Sequence, residues 1–254
     1  MNNVVLITGA SAGLGEEFAI QLAKQGYHLL LVARRVDKLN SLQQQLSESY
    51  PQKKFLTLPL DLNELHASEQ LFEFISNQNI QLCGLINNAG FGVRGRFETL
   101  PLSRQHELLQ VNITALTQIT HRLINNLKRG KQSFIINVAS TAAFQAGPNL
   151  ALYYASKAFV LSFTEALHEE LKGDVLVSAL CPGATRTEFA DVANISSSLA
   201  FRLRVMEKEP VVAYALKHRG RAIIIPGLMN KIGVVAVKLL PRTISRKLAF
   251  QIQK

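Results

Sequence analysis

Short, continuous apolar runs alternate with longer amphipathic stretches along most of this chain. Val4–Thr8 is apolar and stops at Gly9, and a pattern of helical period follows from Gly15 to Lys24. Tyr27–Ala33, Phe55–Leu60, Gln81–Ile86, Ser133–Val138, Val175–Leu180 and Ala222–Ile225 are further runs of the first kind. Val36–Glu48, Glu64–Ser76, Leu102–Leu127 and Leu152–Leu171 are stretches of the second kind. Strands that are apolar throughout, rather than at alternate positions, are buried on both faces. Their alternation with helices predicts an α/β fold: a Rossmann-type, doubly wound parallel sheet of about seven strands, with helices on both faces.

The first strand and helix are joined by Thr8-Gly9-Ala10-Ser11-Ala12-Gly13-Leu14-Gly15. Gly9 allows the tight turn, Gly13 lets the backbone approach a pyrophosphate, and Gly15 permits close helix–strand packing. Free N–H groups at the helix start then face the phosphates. An NAD site usually ends its second strand in an acid on the ribose hydroxyls, but here that position is Ala33, followed by Arg34 and Arg35. An acid would repel a 2′-phosphate and a guanidinium can hold one, so the pattern points to NADP(H). The phosphate is expected to rest mainly on Arg34, with Ser11 and Arg35 beside it. Asp61 and Leu62, ending the third strand, are expected to flank the adenine.

Tyr153 and Lys157 lie four apart at the start of a helix and share one face. A fixed ammonium favours phenolate, so Lys157 is expected to lower the Tyr153 pKa from about 10 towards neutrality. Tyr154 is near the same face and is the competing phenol.

In order along the chain, Thr8–Gly15, Asn87-Asn88-Ala89-Gly90, Asn112, Ser140, Tyr153-x-x-x-Lys157 and Pro182-Gly183 resemble the short-chain dehydrogenase/reductase family, in its compact single-domain branch. The resemblance runs from Val4 to about Thr187. It implies that Tyr153 donates a proton to a substrate carbonyl oxygen while NADPH delivers hydride to the carbon. Ser140 would hydrogen-bond that oxygen. Lys157 would tune Tyr153 and bind the nicotinamide ribose, and Asn112 would hold a water linking Lys157 to solvent. Asn88, Ala89 and Gly90 would line the cofactor cleft. Leu14, Pro182, Gly183, Thr185 and Thr187 complete the cofactor contacts that it implies. Family members usually pair through two long helices, here Leu102–Leu127 and Leu152–Leu171, which implies a homodimer or homotetramer.

Composition narrows the remaining choices. At 254 residues, 48% hydrophobic and 18% charged, the chain suits one large α/β domain over 1–254. The two cysteines, Cys83 and Cys181, give neither a disulfide framework nor a metal-ligand spacing, so a reducing, cytoplasmic setting is expected. Met1-Asn2-Asn3 leads straight into Val4, without the basic and long apolar regions of a secretory signal. The run Ile232–Leu240 is broken by Lys238 and falls short of the roughly 20 residues that span a bilayer.

The net charge of +10 is uneven: no acid follows Glu209, while nine Lys and Arg residues do. Few aromatics accompany them, which argues against a nucleic-acid surface. Residues 228–254 read as a basic helical extension. Ile232, Val235, Ala236, Leu239 and Leu240 recur at helical spacing before Pro241, and Ile244, Leu248 and Ile252 after it. Two readings stay open: a helix lying in an anionic membrane interface, or a stripe packed on the domain or a sister subunit. Residues 188–210 mix apolar residues with serines and are expected to form a substrate lid.

The leading function is NADPH-dependent reduction of a ketone or aldehyde, a lipid-like or oxoacyl compound included. Oxidation of a secondary alcohol with NADP is the alternative. A non-catalytic NADPH sensor is a third, but it would not need Ser140, Tyr153 and Lys157 together.

Overall fold

All seven strands run parallel in a single sheet of order β3-β2-β1-β4-β5-β6-β7. A computed structural model describes residues 1–189 and 205–252. The strands are β1 (Val4–Thr8), β2 (His28–Ala33), β3 (Phe55–Pro59), β4 (Leu82–Asn87), β5 (Phe134–Val138), β6 (Leu176–Leu180) and β7 (Ile223–Ile224). Val4, Val5, Leu6 and Ile7 of β1 are all fully buried, as a central strand covered on both faces requires.

The covering layers follow the amphipathic stretches. Helices α1 (Gly13–Lys24) and α2 (Val36–Ser49) bury Phe18, Leu22, Leu39 and Leu46 on one face of the sheet. The other face carries α3 (Ala67–Asn77), α4 (Leu102–Leu109), α5 (Leu116–Lys128) and α6 (Ala151–Glu170), whose Leu71, Leu123 and Leu167 share a second core. Cys83 and Cys181 are buried and free, and burial pushes both thiols well above their ordinary range.

A polar seam crosses the sheet between the layers. Asn87 Nδ2 donates to Thr120 Oγ1 (2.9 Å) and Asn137 Oδ1 (2.8 Å), and Asn137 Nδ2 donates to Thr164 Oγ1 (3.0 Å). Strands β4 and β5 are thereby tied to α5 and α6.

Two expectations change, one in a long helix and one in the basic extension. The stretch Leu102–Leu127 is not a uniform helix: a π-helical turn over Gln110–Ala115 separates α4 from α5. Most of the proposed lid, residues 190–204, lies outside the described residues. Its last three positions instead open α7 (Lys208–Lys217), which packs Val212 and Ala215 into the α1 core and pairs Lys208 with Glu16 at 2.6 Å. Pro210 sits in the first turn of α7, where its missing N–H costs no intrahelical bond. The two flanks of 190–204 are joined: Thr185 bridges Met206, and Arg186 pairs with Glu207 at 2.8 Å.

The basic extension forms α8 (Leu228–Leu239) and α9 (Arg242–Ile252), broken at Pro241. The docked face of α9 is not the Ile244–Leu248 stripe, which stays largely exposed. Ser245 and Ala249 are buried instead, because small side chains let the helix lie close. Among the described residues, no helix is long and apolar enough to cross a membrane.

Candidate active site

In chain order the strands step outwards from β1 in one direction and from β4 in the other, and the crevice beyond their carboxyl ends is where such sheets bind ligands. A cavity of about 670 Å³ lies there. Of the residues assigned from the sequence to catalysis or cofactor contact, all but Gly15 and Asn112 line it.

The glycine turn is braced from β4. Thr8 Oγ1 accepts from the backbone N–H groups of Asn88 (3.0 Å) and Ala89 (3.1 Å), and Asn88 Nδ2 donates to the carbonyls of Thr8 and Gly9. Asn88 therefore holds the turn's shape as well as lining the cleft. Gly9 has a φ of +65°, and a Cβ on Gly15 would stand 2.2 Å from the Gly9 carbonyl oxygen. That oxygen is backbone and cannot swing aside. Gly15→Ala is therefore expected to destabilise the fold by about 1–3 kcal/mol and to weaken NADPH binding about tenfold, read by thermal denaturation and fluorescence titration. An unaltered melting temperature would show that α1 slides to make room.

At the far end of the cavity, Arg35 gathers around Ser11. Its Nε donates to Ser11 Oγ and its Nη2 to the Ser11 carbonyl, both at 3.3 Å, while Nη1 pairs with Glu188 at 2.8 Å. Arg34 is more exposed and lies 3.6 Å from Asp61. The cation next to the glycine turn is thus Arg35, whereas the sequence put Arg34 first. Ala33 ends β2 without a carboxylate, and Leu62 is buried beside Asp61. Two guanidiniums without an acid at the strand end fit an anionic group on the ribose.

At the near end, β5 leads into Ser140, which caps a short 3₁₀ turn by accepting from the Ala142 N–H at 3.1 Å. Ser140 and Tyr153 line the same cavity. Tyr153 opens towards the cavity and packs on Phe189 (centroids 5.4 Å apart) and Tyr154 (6.1 Å). Tyr154 is buried with Ala142 and Leu150. Lys157 is almost fully buried, one turn further along α6, and its Nζ donates to the Val138 carbonyl at 2.8 Å.

The electrostatics differ from the expected pattern. Burial raises the Tyr153 pKa, with Ser140 acting in the opposite sense. Burial also draws Lys157 down to about 8. Nζ lies 5.9 Å from the Tyr153 ring centre and is directed to Val138, so desolvation outweighs the expected ammonium effect on the phenol.

Asn112 sits in the π turn. Its Oδ1 accepts from the Phe91 N–H, and its Nδ2 donates to the Phe91 carbonyl and to Ser156 Oγ. Ser156 Oγ in turn donates to the Tyr153 carbonyl at 2.7 Å. The side-chain amide is therefore committed to the loop after β4 and to the first turns of α6. A Cβ on Gly90 would lie 3.0 Å from Asn112 Oδ1 and 3.4 Å from Lys157 Nζ, so the two side chains converge on that glycine.

The sequence reading put Glu188 and Phe189 in the expected lid without their contacts on Arg35 and Tyr153, and it missed the inner face of α8. Asn230, Gly233, Val234 and Val237 of α8 line the cavity, as does Ala249 of α9. The apolar pattern of the extension pointed to its other face, and glycine and asparagine carry no burial signal.

Comparison with known proteins agrees with this geometry. A family described as short chain dehydrogenase matches residues 3–197. Sulfoacetaldehyde reductase 2 of Chromohalobacter salexigens is 32% identical over 192 residues, covering 74% of this chain and 75% of that protein. A very-long-chain 3-oxoacyl-CoA reductase of Laccaria bicolor is 32% identical over 171 residues, covering 66% of this chain. The match spans about half the length of that relative (50%). Among solved structures, a short-chain dehydrogenase from Sphingobium yanoikuyae in complex with NADPH superposes with a TM-score of 0.81 at 29% identity. That match covers 94% of this chain and 96% of the other.

Proposed function

This chain belongs to the short-chain dehydrogenase/reductase family, and we propose that it is an NADPH-dependent reductase of apolar ketones or aldehydes, with Tyr153 as proton donor. The observation that carries this reading is the convergence of Ser140, Tyr153 and Lys157 in the same cavity as Arg34 and Arg35.

When bound, NADPH supplies the hydride that reduces the carbonyl carbon. The Tyr153 hydroxyl gives its proton to the carbonyl oxygen, and a burial-raised phenol pKa keeps that proton in place until the oxygen becomes basic. Ser140 donates a hydrogen bond to the same oxygen as its charge grows. Lys157 has one N–H committed to Val138, leaving its other donors for the nicotinamide ribose. Asn112 holds the loop after β4 against α6 and so positions Tyr153 and Lys157. Gly9, Gly13, Leu14 and the α1 N-terminus cradle the pyrophosphate, with Thr185 and Thr187 on the opposite wall.

Substrate class follows from the cavity wall. Phe91, Leu150, Tyr154, Phe189, Val234 and Val237 make the substrate end apolar. Among the described lining residues, the cations are Lys157, Arg34 and Arg35, all at the cofactor. A small anionic aldehyde therefore has no obvious counter-charge, which favours a lipid-like carbonyl. The likeness to an oxoacyl-CoA reductase supports the same reading. On this reading the protein works in the cytoplasm as a homodimer or homotetramer paired through α4–α5 and α6, with residues 188–210 bordering the substrate and the basic extension meeting an anionic membrane.

The test is NADPH consumption by the purified protein over a panel of short and long-chain ketones and aldehydes. Turnover that rises with chain length is expected. NADPH binding without turnover of any carbonyl or secondary alcohol would favour the sensor instead.

Cofactor choice has its own test. Removing one charge-assisted contact to a phosphate costs about 1.5–3 kcal/mol, so Arg35→Ala and Arg34→Ala are each expected to lower kcat/KM for NADPH by roughly 10- to 100-fold. The NADH value should hardly move. Equal kcat/KM for both cofactors in the parent protein would refute the preference.

A further inference from the structure

Helix α8 has two faces with different tasks. Asn230, Gly233, Val234 and Val237 face the cavity. At about 100° per residue, Leu228, Ile232, Val235 and Leu239 fall within an arc of about 60° on the opposite side. Their exposures are 69%, 51%, 55% and 80%, so the stripe does not pack on the domain. Such a contiguous apolar strip on a protein surface marks a contact.

The charges around the strip identify its occupant. Lys231 and Lys238 flank it; Lys231 donates to the Tyr214 hydroxyl at 3.0 Å, and Lys238 lies over the Phe144 ring. Arg242, Arg246 and Lys247 are exposed on the adjoining α9, beside the half-exposed Ile244 and Leu248. No acid occurs anywhere in residues 210–254. A two-fold contact between copies sets a patch against itself, and here it would bring these cations together with no acid from the extension to compensate. A surface of anionic headgroups over an acyl interior complements both the strip and its charges.

We propose that α8 and α9 seat the protein on an anionic lipid bilayer, with the Leu228–Ile232–Val235–Leu239 strip in the headgroup–acyl boundary and Arg242, Arg246 and Lys247 on the lipid phosphates. Because the other face of α8 is a wall of the cavity, the substrate is a membrane-dissolved carbonyl that reaches Tyr153 past this helix. The substrate half rests on the reductase reading above; the seating half does not.

The full-length protein is sedimented with vesicles of phosphatidylcholine alone and of phosphatidylcholine mixed with phosphatidylglycerol, at low and physiological salt. It is expected to pellet with the anionic vesicles and to lose about tenfold in partitioning with neutral lipid, at higher salt, or with the variant I232S/V235S/L239S. Serines at exposed positions leave the fold intact, which the melting temperature checks. Protein that stays in the supernatant throughout overturns the proposal. So does a triple variant that pellets like the parent, or one that turns an oligomer into a monomer without lipid, since a second copy would then be the occupant. For the substrate half, reduction of a long-chain ketone carried in the anionic vesicles should fall about tenfold in the triple variant. Reduction of a short, water-soluble ketone should stay unchanged. Equal rates on the long-chain ketone overturn entry past α8. Pelleting with no turnover of either ketone removes the reductase reading and leaves the seat standing.

Discussion

Tyr153→Phe is expected to lower kcat/KM for carbonyl reduction by about three orders of magnitude, within the 10²–10⁴ range of a lost general acid, while NADPH affinity changes less than about twofold. The substitution deletes one oxygen and keeps the ring, whose packing on Phe189 and Tyr154 is apolar and survives. Ser140 stays in place, its hydroxyl still accepting from the Ala142 N–H. The loss should therefore appear in the chemical step and not in cofactor binding. Steady-state kinetics and cofactor titration on the same preparation separate the two. Substantial residual turnover would pass the role to Tyr154, although that ring is buried with Ala142 and Leu150 and crowds Gly147.

Lys157→Met should cost a comparable factor in rate, about 10²–10⁴, and yet leave the melting temperature near neutral pH within a few degrees of the parent. Burial holds the Lys157 pKa at about 8, below its unfolded value of about 10.4. The folded chain thus binds fewer protons than the unfolded chain between these values, and stability rises with pH across that window. The penalty for the buried ammonium is fully present below about pH 8 and is relieved above the unfolded pKa. Methionine removes the penalty but also leaves the Val138 carbonyl without its donor, a loss of about 1–3 kcal/mol that works the other way. The clean signature is the slope: between about pH 8 and 10.4, the rise in stability seen for the parent should flatten in the variant. A variant with the parent's slope would place the titration elsewhere. The same group bears on activity, since reduction consumes a proton, and its rate should decline as pH rises through about 8.

The central strands were legible because their signal is local. A run such as Leu29–Val32 can be buried on both faces only in the middle of a covered sheet, and the glycine turn after β1 has only one plausible use in that position. Tyr153 and Lys157 were legible because helical spacing alone puts them on one face. What escaped depends on distant partners. The π turn over Gln110–Ala115 has no residue signature; it accompanies the grip of Asn112 on Phe91 and Ser156, far along the chain. Arg34 and Arg35 are equivalent in sequence, and only the return of Ser11 and Glu188 to the same place distinguishes them. The raised Tyr153 pKa could not be read from a Tyr–Lys spacing, because desolvation is a property of the whole cavity.

The joined flanks of residues 190–204 bear on how this scaffold can change its chemistry. Thr185 meets Met206 and Arg186 meets Glu207, so the chain leaves the sheet's edge and returns to it at almost one point. Whatever is inserted between those two pairs closes over the same short gap, and doubling its length adds only about 0.6 kcal/mol of closure entropy. Thr187, Glu188 and Phe189, which meet the glycine turn, Arg35 and Tyr153, lie before that stretch begins. The segment is therefore a replaceable cassette: a graft between Phe189 and Val205 can retarget specificity while Thr187, Glu188 and Phe189 keep their places on the cofactor wall, Arg35 and Tyr153.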